Sequence, residues 1–212
     1  MKKIISFLLA ASMMLISVNS FAQLHIGAGY INSADRYKTN SDADVNATYL
    51  NGFYAGGGFS IPIVAGLQVT PGVYYVFTAK NDADGLGGLK LTGDTKEHYI
   101  NVPVDISYGY EISPDFRVFA FAGPTASVGL ASKTKLTATY KAFAVDDEID
   151  NYDEDYDYAR FDVLLGGGVG VDVLKRVRVT ARYDCGLVNR YNGDGDPIRH
   201  RNQFTAGVAY LF

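Results

Sequence analysis

Asp172 and Arg178 flank the short polar break Leu174 to Arg176, and if the chain on either side is extended their side chains face each other across a hairpin, as an ion pair requires. Further charged residues recur with the same alternation among glycines and small side chains: Glu97, Asp105, Asp162 and Asp184 against Arg117 and Arg182. Asn101, Thr180 and Gln203 share that face and add hydrogen-bonding capacity. A charge held away from water needs a partner, so the set reads as an interior polar network that plugs a core. The alternative chemistry is a narrow polar path for ions. A second concentration lies between Val145 and Tyr158, where Asp146, Asp147, Glu148, Asp150, Asp153, Glu154, Asp155 and Asp157 are interleaved with Tyr152, Tyr156 and Tyr158. Carboxylate oxygens at that density suit Ca²⁺ or Mg²⁺, but the EF-hand Gly and Glu spacing is missing. Asp82-Ala83-Asp84-Gly85 fails in the same way, because Lys80 and Leu91 occupy the first and twelfth loop positions. The favoured reading is a solvated acidic loop, with no metal assigned; tyrosines beside acids also suit protein recognition.

The elements that must position these residues are strands. Beyond residue 22 apolar residues alternate with period two over eight stretches of about ten residues. The first two carry Leu24, Ile26, Ala28 and Tyr30, then Phe53, Ala55, Phe59 and Ile61. In the third, Leu67, Val69, Val73, Tyr75 and Phe77 alternate against Gln68, Thr70, Gly72 and Tyr74. The fourth runs from His98 to Tyr108, and the fifth, Phe116 to Leu130, is less regular because Phe119 and Phe121 oppose Val118, Ala120 and Ala122. Phe161 to Val173, Val177 to Leu187 and Phe204 to Phe212 complete the set. Short turns at Pro62 to Gly66, Glu111 to Asp115 and Leu174 to Arg176 alternate with long polar loops at Ser33 to Ala47, Lys80 to Lys96, Ala131 to Ala159 and Asn189 to Arg201. That asymmetry predicts an all-β fold, an eight-stranded antiparallel up-and-down transmembrane β-barrel with both termini periplasmic and the long loops extracellular. The face opposite the apolar one is rich in glycine, which suits a narrow barrel interior and has no use on a solvated strand. Glycines and charges therefore point inward, and aliphatic and aromatic side chains outward to lipid. Pro71, Pro103 and Pro124 fall inside strands, where bulges are expected.

Lys2 and Lys3, an apolar run from Ile4 to Val18 and Ser20-Phe21-Ala22 predict a cleavable signal peptide over residues 1–22, leaving a barrel domain over 23–212. The apolar run is shorter than the roughly 20 residues of a membrane-spanning helix, and no later segment reaches that length, which excludes a helical membrane protein. Loss of the two lysines takes the formal charge from −4 to −6, against nucleic acid as a partner. Cys185 is the only cysteine, so no disulfide framework exists.

The C-terminal Thr205-Ala206-Gly207-Val208-Ala209-Tyr210-Leu211-Phe212 resembles the β-signal of outer-membrane proteins. The resemblance implies that Thr205, Gly207, Tyr210 and Phe212 form an assembly signal read by the barrel assembly machinery, with Phe212 on the lipid face. The mature chain also resembles the OmpA-like, porin-family barrel domain that occurs alone. The carriers are Val118 to Gly129 with its Ala-Gly-Pro core, Phe161-Asp162 leading into Gly166-Gly167-Gly168-Val169-Gly170, and Arg182-Tyr183 followed by Gly186-Leu187. It implies fold and location, not one shared activity, and the peptidoglycan-binding domain of full-length OmpA is not expected.

Enzymes on such barrels, similar to outer-membrane lipid A deacylases, would require a histidine with a serine and a carboxylate near the extracellular rim. His25 is expected near the periplasmic end and His200 in a loop; His98 reaches the rim, where no serine is spaced to serve it. The chain is therefore not expected to be an enzyme, and no cofactor is implied. The expected role is structural and interactive: a monomeric barrel in outer-membrane lipid, anchoring four loops that bind lipopolysaccharide or an extracellular protein or glycan. The alternative is a narrow porin-like channel for ions or small solutes.

Overall fold

A computed structural model describes residues 22–38, 46–86, 89–140, 143–153, 158–190 and 198–212. Residues 1–21 of the expected 1–22 leader lie outside them, as do Glu154, Asp155 and Asp157 of the acidic run, and of Asp146 only the backbone is described.

Nine strands follow in chain order: β1 (Gln23–Lys38), β2 (Asn46–Val64), β3 (Leu67–Leu86), β4 (Leu89–Ser113), β5 (Phe116–Tyr140), β6 (Phe143–Asp150), β7 (Phe161–Val173), β8 (Val177–Gly186) and β9 (Ile198–Leu211). Eight of them close an antiparallel ring, β1-β2-β3-β4-β5-β7-β8-β9, with β9 returning to β1. Closure satisfies both edges of every ring strand over the barrel wall. The ninth strand, β6, pairs only with the far half of β5. It corrects the expectation of four irregular loops: β3 and β4 continue as one hairpin to Leu86 and Leu89, and β5 continues past Ala131 to Tyr140 before turning into β6. The polar residues there still alternate, which period-two apolarity does not register. We call this the hairpin end and the opposite rim the turn end.

Two turns are tighter than expected, Ala65–Gly66 and Pro114–Asp115, and the third is Leu174–Arg176 as the sequence predicts. The three prolines produce no bulge. Register is continuous across Pro71, Pro103 and Pro124, and ladder pairs merely lapse beside them. A missing N–H removes one bond without requiring an extra residue. Register shifts occur instead between Pro62 and Val64, His98 and Tyr99, and Glu111 and Ser113. The second matters later, because Leu130 is skipped and the parity of β5 changes there.

Ile26, Val104, Ile106, Leu165, Val169 and Val208 are exposed on the outer wall. His25, Ile31, Asn101, Asp162, Arg178 and Gln203 are buried within. The inside is not free of aromatics, however: Tyr99 and Phe119 are buried there, and Tyr54, Tyr74 and Phe121 line the same lumen. The irregular fifth stretch is irregular for this reason, since both its faces carry large apolar groups.

At the turn end, Leu174 and Lys175 have φ of 53° and 55°, and the Arg176 N–H donates to the Val173 carbonyl at 3.1 Å. That is a type I′ turn without the Asn-Gly pair it favours. A left-handed conformation costs an ordinary residue about 1–2 kcal/mol. Replacing Leu174 by Asn and Lys175 by Gly together should raise stability by about 1–2 kcal/mol. Urea unfolding of the protein in lipid vesicles would register it as a higher midpoint.

Candidate functional site in the barrel lumen

Five arginines cross the lumen at four successive levels, each held between a carboxylate and an aromatic face. At the turn end Arg178 donates to both oxygens of Asp172, Nε to Oδ1 at 2.7 Å and Nη2 to Oδ2 at 3.0 Å. Arg117 reaches the same carboxylate at 3.1 Å. Both guanidinium groups lie over the Phe119 ring, at 5.1 Å for Arg117 and 4.8 Å for Arg178. One level up, Arg182 bridges Asp105 at 2.6 Å and Asp184 at 2.7 Å, and donates as well to Thr125 Oγ1 and the Gly123 carbonyl. Phe121 lies 5.7 Å from it. Higher still, Arg201 lies 3.2 Å from Asp162 and 4.4 Å from the Tyr99 ring, and donates to Ser127. Charge-assisted bonds and cation–π contacts are strengthened by burial, and these guanidinium groups are largely buried. Between its lower levels a cavity of about 130 Å³ remains, bordered by His25, Tyr54, Tyr74, Asn101 and Thr205. His25 Nε2 bonds the Tyr74 hydroxyl at 2.9 Å.

Glycines make the room. A β-carbon on Gly170 would meet the Phe119 ring at 2.3 Å, and one on Gly168 the Phe121 ring at 2.7 Å. One on Gly109 would meet the Arg117 guanidinium, also at 2.3 Å. These are sockets for large inward side chains opposite them, not merely small residues in a narrow space.

At the hairpin end the network continues through residues for which the sequence offered little signal. Arg190 is buried, lies 3.5 Å from Asp35 and 3.9 Å from Glu97, and stacks 4.3 Å from the Tyr158 ring. Tyr158 donates to Asp35 at 2.7 Å, and burial together with the Glu97 carboxylate holds its phenol well above the ordinary tyrosine range. Tyr152 is buried and points its hydroxyl into the space over Gly129, with Arg160 on its ring. Asp35 and Arg201 only extend the inward parity of Ile31–Ser33 and Gln203–Thr205, so continuing each alternation into the polar flank would have found them. Arg190 and Tyr158 carry no such signal.

The described part of the acidic run is a hairpin strand. Glu148 pairs with Lys133 at 2.5 Å, and Asp150 caps the backbone N–H of Tyr152. Asp147, Glu148 and Asp153 are exposed, and among the described residues no cluster of three metal-ligating side chains occurs. At the C-terminus, Thr205 and Gly207 face the lumen, while Tyr210 and Phe212 lie outside with ring centroids 4.9 Å apart. His98 faces outward and accepts from or donates to the Tyr75 hydroxyl through Nδ1; Cys185 is exposed on the outer wall.

Residues 18–192 match the family model of the outer membrane protein β-barrel domain. The chain belongs to that family. Its ring strands therefore span the outer membrane, and the outward apolar residues contact lipid. Solved structures that resemble it include Ail, the attachment invasion locus protein of Yersinia pestis, in complex with the heparin analogue sucrose octasulfate. That protein is 14% identical with a TM-score of 0.49, over 91% of this chain and 100% of that one. Neisserial surface protein A is 12% identical with a TM-score of 0.48, over 91% and 100%. OprG from Pseudomonas aeruginosa is 13% identical with a TM-score of 0.40, over 91% and 96%. A comparison with curated proteins gives no match.

Removing Arg182 would leave Asp105 and Asp184 as buried charges without a counter-ion, so Arg182→Met should cost about 3–5 kcal/mol. The triple variant Arg182→Met, Asp105→Asn, Asp184→Asn should recover most of that loss in the same urea titration. A second expectation concerns Glu148, which Lys133 holds below its ordinary value of 4.5, while Lys133 is held above its ordinary 10.5. The pair's contribution is complete between those two ordinary values. It is lost as pH falls through the lowered carboxyl value or rises through the raised ammonium value. Amide hydrogen exchange in β6, corrected for intrinsic rates, should accelerate at both extremes, and Glu148→Gln should abolish the acid limb.

Proposed function

We propose that this protein is a closed barrel that anchors a β-structured extracellular platform, with no continuous path for ions and no turnover. The observation that supports the reading is the ladder of buried arginines, each beside a carboxylate and an aromatic ring, at levels from Asp172 to Glu97. A mobile ion entering would have to break several such contacts at once. In this reading residues 1–22 are removed on export, both termini lie in the periplasm, and the hairpin end faces outward. Thr205, Gly207, Tyr210 and Phe212 act as the assembly signal for the barrel machinery, and the barrel works as a monomer in lipopolysaccharide-containing membrane. The β5–β6 hairpin, with its exposed acids Asp147 and Glu148, is the element offered to an extracellular protein or glycan, while Tyr152 and Tyr158 turn inward; its carboxylates are the candidate cation ligands.

The second reading, a narrow channel, is favoured by the 130 Å³ cavity within the lumen and by a larger opening at the turn end bordered by Gln68, Arg117 and Asp172. Planar-bilayer recording separates the two. The closed reading expects no sustained single-channel steps from the refolded protein, and steps only when the stack is broken, as in Arg182→Met. Steady steps from the unaltered protein, with an amplitude that changes on Arg182 substitution, would establish the channel instead.

A further inference from the structure

The outer wall changes character at the hairpin end of the apolar band, on the face shared by β3, β4 and β5. The last lipid-facing row is aromatic: Phe77 pairs with His98, with ring centroids 4.9 Å apart, and Phe53 packs 5.5 Å from Phe77. Tyr75 occupies the tier below and bonds His98 Nδ1. Directly above, Lys96 of β4 stands opposite Lys133 of β5, both exposed and both facing outward. That juxtaposition exists because of the bulge at Leu130. Up to Leu130 the even positions of β5 face out, whereas beyond it Ala131, Lys133 and Lys135 do. Without the bulge Lys133 would face inward.

Like charges directly opposite each other on neighbouring strands are unfavourable. Glu148 offsets Lys133, but Lys96 has no ion pair among the described residues. The acids of this face do not lie between the lysines and the lipid. Asp94 and Glu148 are one tier farther from the apolar band, and Asp150 sits on the far side of Lys133. Lys96 therefore borders the lipid directly, over an aromatic floor, and Lys133 beside it is held from above by Glu148 and joins it when that pair opens. If His98 Nδ1 accepts from Tyr75, its Nε2–H is the outward donor.

We infer that Lys96, His98 and Lys133 form a docking site on the barrel wall for a phosphate of the lipopolysaccharide headgroup. Phe53, Phe77 and Tyr75 lie beneath its saccharide and acyl roots. Lysines at a membrane surface act as point charges toward anionic headgroups, each with a substantial gain in attraction. The inference rests on the proposal that the hairpin end faces the outside, but it does not need the lumen to be closed.

The test uses the refolded full chain in phosphatidylcholine vesicles containing a small fraction of diphosphorylated lipid A, or of the same glycolipid without its phosphates. Native mass spectrometry after detergent extraction reads the fraction of protein that retains one glycolipid. The unaltered protein should retain the phosphorylated form preferentially, and Lys96→Gln with Lys133→Gln should lower that retention about tenfold. Lys96→Gln alone disturbs no ion pair and should carry a good part of the loss. Glu148→Gln should increase retention by freeing Lys133, which a merely structural role for the Lys133–Glu148 pair would not do. Lys175→Gln, at the other rim, should change nothing. Equal retention of the two glycolipids, or retention unaffected by both lysine substitutions, would overturn the site. The bilayer recordings bear on the closed lumen independently of either result.

Discussion

An arginine clamped between a carboxylate and an aromatic ring, inside the narrow wall of an eight-stranded ring, is the contact on which the rest of this barrel depends. Eight strands leave an interior that side chains must fill. Filling it with charge requires each ion to find its counter-ion and its remaining hydrogen bonds within the same few ångströms. Arg182 does so with Asp105, Asp184, Thr125 and the Gly123 carbonyl, and Arg178 with Asp172, Ser60 and the Phe119 face. The rings that complete these clamps need space, which the glycines of β7 and β4 supply. Glycine, aromatic and arginine are thus one device distributed over separate strands.

The same economy of space leaves the ends and the outer wall as the surfaces open to other molecules. The lumen is occupied, and the hairpin-end mouth is roofed by Tyr152, Tyr158 and Arg190. What remains accessible is the extended sheet of β3 to β6 and the lipid-facing surface beneath it. One skipped residue, Leu130, links the two, because it decides which side chains of β5 continue the lumen and which emerge beside lipid.

Much of the architecture could be read from residue order. Period-two alternation located every ring strand, and the Leu174–Arg176 break set Asp172 opposite Arg178, since that contact is local and needs only a hairpin. Errors arose where the apolar signal faded though the strands continued. In β6 and the far halves of β3, β4 and β5 charged and polar side chains interrupt the apolar alternation, so they read as loop. The prolines invited bulges because a ladder prefers an N–H at each position, yet the wall tolerates the lapse without changing register.

Alternation, inward glycine and the spacing of turns are properties of single strands and their neighbours, and residue order alone was enough to specify an antiparallel barrel and the facing of its walls. Partner choice across the lumen was not available in that way. Arg182 meets Asp105 from 77 residues away, Asn101 meets Gln203 from 102, and Arg178 meets Ser60 from 118. Such contacts join strands that share no ladder, and their geometry follows from the stagger at which the sheet closes. Only closure of the ring brings those side chains to one height, and with it a filled lumen and an outer face where Lys96 and Lys133 stand together.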